Sequence, residues 1–229
     1  MSLTVLRDKT LQLPLALGHD PAADRDHLLI STSIMPAIDL IDRWPVWRTP
    51  VTVLVGPPGS GKTHLSTIWK GLSQARVVTE ELREGRPIAP RQGAFLFEDA
   101  DRVPFDETGL FHLINTVRQH NGTLLITARS LPQLWQLTLP DLKSRLAAAT
   151  TVEIGPPDDV LLKQVIFKLF ADRQLEVDDR LVAYIVTRME RSLDAASQIV
   201  DAIDKLALSR GRRITRALAA EVLTERETF

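Results

Sequence analysis

Eight consecutive residues, Gly56-Pro57-Pro58-Gly59-Ser60-Gly61-Lys62-Thr63, match the phosphate-binding pattern G-x-x-x-x-G-K-[ST], the Walker A motif. Glycines at these positions let the backbone fold back so that several N–H groups point into one concavity, and a helix starting there adds partial positive charge. In such a loop the Lys62 ammonium reaches the β- and γ-phosphates of a nucleotide and the Thr63 hydroxyl ligates Mg²⁺. The chemistry expected of the segment is binding of ATP or ADP with Mg²⁺, and His64 is grouped with these eight residues as nucleotide-binding. A metal-bound nucleotide also needs a carboxylate at the end of a neighbouring strand. Ala94-Phe95-Leu96-Phe97-Glu98-Asp99 supplies two, one for the metal, taken as Glu98, and one to polarise an attacking water, taken as Asp99. Thr127, closing the apolar run Thr123-Leu124-Leu125-Ile126, is a candidate to hydrogen-bond the γ-phosphate or that water.

These residues need a scaffold that brings strand ends together. From Val51 onward, short apolar runs alternate with amphipathic stretches, the pattern of a parallel sheet with crossover helices. Strands are expected near Val51–Val55, Arg76–Thr79, Ala94–Phe97, Thr123–Thr127 and Thr151–Ile154, and helices near Lys62–Leu72, Glu107–His120 and Leu131–Leu137. After Gly155-Pro156-Pro157 the character changes to amphipathic helices alone, near Asp158–Asp172, Asp179–Arg188, Leu193–Leu208 and Thr215–Glu225. The fold class is therefore α/β: a five-stranded parallel sheet flanked by helices, followed by a small all-helical domain. Residues 1–25 are read as a tail, 26–156 as the α/β domain and 157–229 as the helical one.

Composition excludes several alternatives. The 229 residues contain no cysteine, which removes thiol catalysis, disulfides and thiolate metal sites. The N-terminus lacks the pattern of a secretory signal, and no apolar run approaches the roughly 18 residues of a membrane span, so a cytoplasmic protein without membrane attachment is expected. The formal net charge is −1, with no bulk basic signature of a nucleic-acid binder. A local basic stretch, Arg210, Arg212, Arg213 and Arg216, reads as a solvated helix start, with direct DNA binding as its weaker alternative.

The order of these motifs resembles the AAA+ class of P-loop ATPases, and within it the DnaA-related, Hda-type group. Leu139-Pro140-Asp141-Leu142-Lys143-Ser144-Arg145-Leu146 is similar to the segment that carries the arginine finger there. The resemblance implies that Arg145 acts in trans, its guanidinium stabilising charge on a phosphoryl group held by a neighbouring subunit. It also implies a helical lid bearing a nucleotide sensor. Asp194 falls at the usual sensor position, Arg191 lies about one turn earlier, and Leu29 is placed at the adenine by family position alone. With the sequence ending at Phe229, no helix-turn-helix DNA-binding domain is expected after the lid.

A further likeness is Gln12-Leu13-Pro14-Leu15-Ala16-Leu17, similar to the peptide by which Hda-type proteins dock on the DNA polymerase III sliding clamp. Gln12 would meet backbone polar groups while Leu13, Leu15 and Leu17 enter an apolar groove. The resemblance thus implies negative regulation of replication initiation, with DnaA and the clamp as partners and self-association left open. An autonomous ATPase such as a helicase loader is the alternative, so whether the chain is itself an enzyme stays undecided. Three departures bear on this. The acids run Glu98 then Asp99, where the group usually begins with Asp, which predicts slow self-hydrolysis. Asp194 would repel a γ-phosphate and so predicts a preference for ADP. Arg129 stands where the group often has an acidic residue.

Overall fold

A computed structural model of the chain describes residues 32–89 and 92–227. A five-stranded sheet, order β2-β3-β4-β1-β5, is built from β1 (Val51–Val55), β2 (Arg76–Val77), β3 (Ala94–Phe97), β4 (Thr123–Ala128) and β5 (Thr150–Glu153). Every strand pair is parallel. The central strand β1 is buried along its whole length, as a strand covered on both faces must be. Its alternation divides two cores. Val51, Val53 and Val55 join Phe95, Phe97, Leu124 and Ile126 on one face, while Leu54 joins Leu96 and Leu125 on the other.

The first face is covered by α3 (Thr79–Glu84), α4 (Glu107–Gln119) and α5 (Pro140–Ala147), the second by α1 (Met35–Asp42) and α2 (Lys62–Ser73). Each helix start has a local cause. Asp106 accepts from Thr108 N–H at the head of α4, and α5 begins on Pro140, whose fixed φ suits a first helical turn. Among the described residues four helices follow β5: α6 (Asp159–Asp172), α7 (Asp179–Val186), α8 (Leu193–Arg210) and α9 (Arg216–Glu227). Asp158, Asp178 and Ser192 cap α6, α7 and α8 through the N–H of Leu161, Leu181 and Ala195. These helices bury a core of their own, including Phe170, Val182, Ile185, Val200 and Ile203.

Two expectations about elements are corrected, and one helix is added to them. The helix over Leu131–Leu137 is a single 3-10 turn, Pro132–Leu134, because Leu131 and Trp135 are both extended. Trp135 is instead held by its indole N–H on the Ser130 carbonyl, 3.0 Å away. The second strand stops at Val77, since Val78 turns out of the extended region and Thr79 opens α3. The segment carrying Arg145 is itself a helix, α5.

Candidate nucleotide site

The loop between β1 and α2 owes its shape to glycines. Gly59 and Gly61 have φ of +64° and +92°, a region that costs an L side chain roughly 1–2 kcal/mol. Gly61 is the residue before α2, which begins with no side-chain cap, so its first N–H groups face the loop concavity. The Lys62 ammonium donates to the Gly56 carbonyl at 2.7 Å and the Pro57 carbonyl at 2.9 Å. Burial pulls its pKa below the ordinary lysine value, the Asp99 carboxylate opposes that shift, and Arg129 adds to it. Among the described residues the buried Ser60 hydroxyl has no hydrogen-bond partner, a polar atom inside the loop that still needs one.

A cavity of about 420 Å³ opens over this loop. Its lining includes the apolar Ile34, Leu161, Val165 and Leu193, and also His64 and Lys168. Burial and then the nearby Lys168 charge depress the His64 pKa, favouring the neutral imidazole. The same lining carries the charged residues Lys62, Asp99, Arg102, Arg129 and Asp194. A cavity lined by both apolar and charged side chains beside left-handed glycines could hold a nucleotide, whose phosphates the Gly56–Thr63 loop would face.

The acidic strand end is anchored in detail. Glu98 accepts from the Ser66 hydroxyl on α2 at 2.9 Å, one turn after Thr63, and its own N–H donates to Thr79. Asp99 has φ +50° and donates its N–H to the Thr127 hydroxyl at 3.0 Å. Thr127 is 3% exposed, and that bond sets the turn that aims Asp99 at the cavity. Sequence reasoning missed Asp101. Its carboxylate accepts from Arg129 N–H, Ser130 N–H and the Ser130 hydroxyl, lacing the end of β3 to the end of β4. Burial alone would raise its pKa, but these hydrogen bonds outweigh burial and lower it. Its only signal was position, two residues past an acid already singled out.

The other expected residues are distributed as follows. Arg145 is half-buried on α5, which leads into the first residue of β5, Thr150, opposite Thr52 near the start of β1. The phosphate loop leaves the far end of β1. Arg145 is not among the residues that line the cavity, and among the described residues it has no carboxylate within 4.0 Å. Asp194 lines the cavity from the first turn of α8, whereas the Arg191 guanidinium pairs with Asp159 at 2.9 Å. Leu29 and the peptide bearing Gln12, Leu13, Leu15 and Leu17 lie outside the described residues. Among the described residues no helix is long and apolar enough to cross a membrane.

The lid touches the loop directly. Leu193 N–H, at the start of α8, donates to the Gly59 carbonyl at 2.8 Å. A Cβ at Gly59 would stand 1.9 Å from the Ser192 hydroxyl oxygen.

Comparison with known proteins agrees with this architecture. The family described as "Hda, lid domain" matches residues 163–223. An uncharacterized protein of Haemophilus influenzae is 23% identical, the match covering 93% of this chain and 98% of that protein. Domain III of the replication initiation protein DnaA from Thermotoga maritima superposes with a TM-score of 0.72 at 15% identity, covering 90% of this chain and 97% of that one. The Thermotoga maritima RuvB Holliday junction branch migration motor gives a TM-score of 0.62 at 17% identity, covering 84% and 66%. The architecture is common to these structures, and within it residues 163–223 are similar to the Hda lid domain.

Proposed function

We propose that the chain is an adenine-nucleotide-bound regulator of replication initiation that supplies Arg145 to ATP held by DnaA while docked on the sliding clamp through Gln12–Leu17. The observation that carries this reading is the separation of Arg145 from its own phosphate loop. A guanidinium that does not line its own cavity, without a carboxylate partner among the described residues, has no work there. It suits a site completed by a second subunit. The Hda-type lid favours DnaA as that subunit. Gly56 to Thr63 would hold the chain's own nucleotide, with Thr63 and Glu98 toward Mg²⁺. Bound Mg²⁺ would neutralise phosphate charge, and Asp99 faces the cavity where a water would need orienting.

The test is hydrolysis of ATP by DnaA in the presence of clamp loaded on DNA. Wild-type protein should accelerate it, and Arg145→Ala should lower that acceleration on the order of 10³-fold while keeping nucleotide affinity. Loss of nucleotide binding in Arg145→Ala would refute the trans role. The second reading, an autonomous ATPase, is favoured by the paired acids Glu98 and Asp99 at the end of β3. It predicts rapid turnover by the isolated chain, without DnaA or clamp.

A further inference from the structure

Cations of the lid gather where α7 and α9 pack together. Tyr184 of α7 has two guanidiniums against its ring, Arg188 at 4.1 Å from the centroid and Arg216 at 4.4 Å. Arg188 follows the end of α7 and Arg216 opens α9, so one ring draws together charges from separate elements. Arg180 stands one turn before Tyr184 on α7, and with Arg216 it lines a second cavity of about 590 Å³. Arg212 and Arg213 are exposed in the loop that leads from α8 into α9. Ion pairs of the lid engage other cations: Arg173 with Asp201 and Asp204, Arg191 with Asp159, and Arg210 with Glu221. Arg210, part of the same basic stretch in the sequence, is thereby withdrawn from it. Among the described residues the guanidiniums of Arg180, Arg188, Arg212, Arg213 and Arg216 have no carboxylate within ion-pair distance.

The acids nearby do not cancel this charge. Glu176 and Asp178 also line the second cavity, but Asp178 is occupied as the cap of α7, accepting from Leu181 N–H. Asp179 is one residue off the row formed by Arg180, Tyr184 and Arg188, about 100° around the helix, and Glu190 sits beyond it in the turn to α8. Like charges crowded on one ring are relieved by an anion. A guanidinium laid against an aromatic ring keeps its plane fixed and its N–H edge free, which suits the oxygens of a phosphate. Arg180 and Arg188 are roughly 12 Å apart along the helix direction, too far for one phosphate to meet both and suited to successive phosphates of a strand. A ring already engaged by two guanidiniums offers no platform for stacking a base, so contacts fall on the backbone alone. A peptide partner would need apolar pockets for its side chains, and among the described residues no large exposed apolar side chain lies on α7 or α9.

We propose that the α7–α9 face of the lid binds the phosphate backbone of DNA without regard to base sequence, Arg188 and Arg216 making the principal contacts. Arg180 extends the row along α7, and Arg212 and Arg213 extend it into the loop before α9. This surface goes beyond the regulatory reading above and does not depend on the nucleotide cavity, whose lining shares no residue with it. A formal net charge of −1 for the whole chain conceals it, because the acids that balance these cations are spread elsewhere.

The test is fluorescence anisotropy of the full chain titrated onto short labelled DNA of random sequence, as single strand and as duplex, over a range of salt. Wild type should bind at least one form, with affinity falling as salt rises; the form bound more tightly identifies the natural source of the backbone. The double variant Arg188→Gln with Arg216→Gln keeps side-chain length and removes two charges. It should weaken binding about tenfold at low salt. Its logarithmic salt slope should be shallower by about 1.4 on single strand or about 1.8 on duplex, the loss of two phosphate contacts. Arg48→Glu changes net charge equally at an exposed site on the sheet domain and should leave affinity within about twofold. No binding by folded wild type at low salt, an unchanged slope in the double variant, or equal weakening by Arg48→Glu would each overturn the proposal. Tighter binding of polyglutamate than of DNA of equal charge would overturn it too, assigning the face to an acidic protein. Should the double variant melt early, Arg216→Gln alone decides, with half the change in slope expected.

Discussion

Lys62 shows how a single side chain depends on what surrounds it. Burial of this ammonium, 7% exposed, lowers its pKa, and the Asp99 carboxylate is the largest influence opposing that shift. Its two bonds to Gly56 and Pro57 carbonyls hold it over the concavity until phosphate oxygens, better partners for a cation, replace them. Lys62→Ala should therefore weaken nucleotide binding by about 10- to 100-fold, with the fold retained. Calorimetry checks the affinity and a thermal melt the fold; an unchanged affinity would leave the loop without its assigned role. At this scale the sequence was most readable, because a motif specifies residue type and spacing together. Asp101 was not readable, since its importance comes from β3 and β4 lying side by side. A single sequence does not announce that adjacency.

Among elements, the junction between α4 and α5 decides where Arg145 stands. Glu107, in the first turn of α4, accepts from Thr138 N–H and hydroxyl and from Leu139 N–H, the residue before α5. Burial alone would raise its pKa; the bonds from Thr138 and Leu139 prevail and leave it lowered. An unfolded chain takes up this proton first, near about pH 4.3. The stability Glu107 contributes is thus complete above that pH and is lost as pH falls through the lower folded value. Glu107→Gln should cost roughly 1 kcal/mol near neutrality, a modest figure because the site is partly exposed. The difference from wild type should vanish in acid. Urea melts at pH 7 and pH 3 compare the two, and a difference independent of pH would contradict the assignment. This junction also explains why α5 was overlooked. Its eight residues include few apolar positions, and it exists because Pro140 starts it, Glu107 fixes its approach, and Leu142 and Leu146 are buried against the sheet. The helix expected over Leu131–Leu137 failed for the converse reason, as burial of Trp135 beside Phe105 outweighed local propensity.

For the molecule as a whole, the sheet and the lid meet along a joint. The sheet's second core takes in Leu161 from α6, with Val165 and Leu193 packed beside it, while the remaining lid interior is its own. The order of strands and helices and the change at Gly155 to Pro157 were legible because helical and strand periodicities differ. How the two parts touch was not, because the contact depends on Leu161, Val165 and Leu193 reaching the sheet's core, on a backbone bond and on the absence of a side chain. Gly59→Ala would set a methyl against Ser192 and force either the loop or the lid aside. Added to the left-handed φ, this should lower stability by about 2 kcal/mol or more, with faster amide exchange in the first turn of α8 as the diagnostic. Normal protection there would show that the two parts do not press on each other. The bond from Leu193 to Gly59 has a mechanical corollary. Since that carbonyl fastens the cradle to the first residue of an eighteen-residue rod, α8, a shift of the loop would be carried along the rod to the outer faces of the lid.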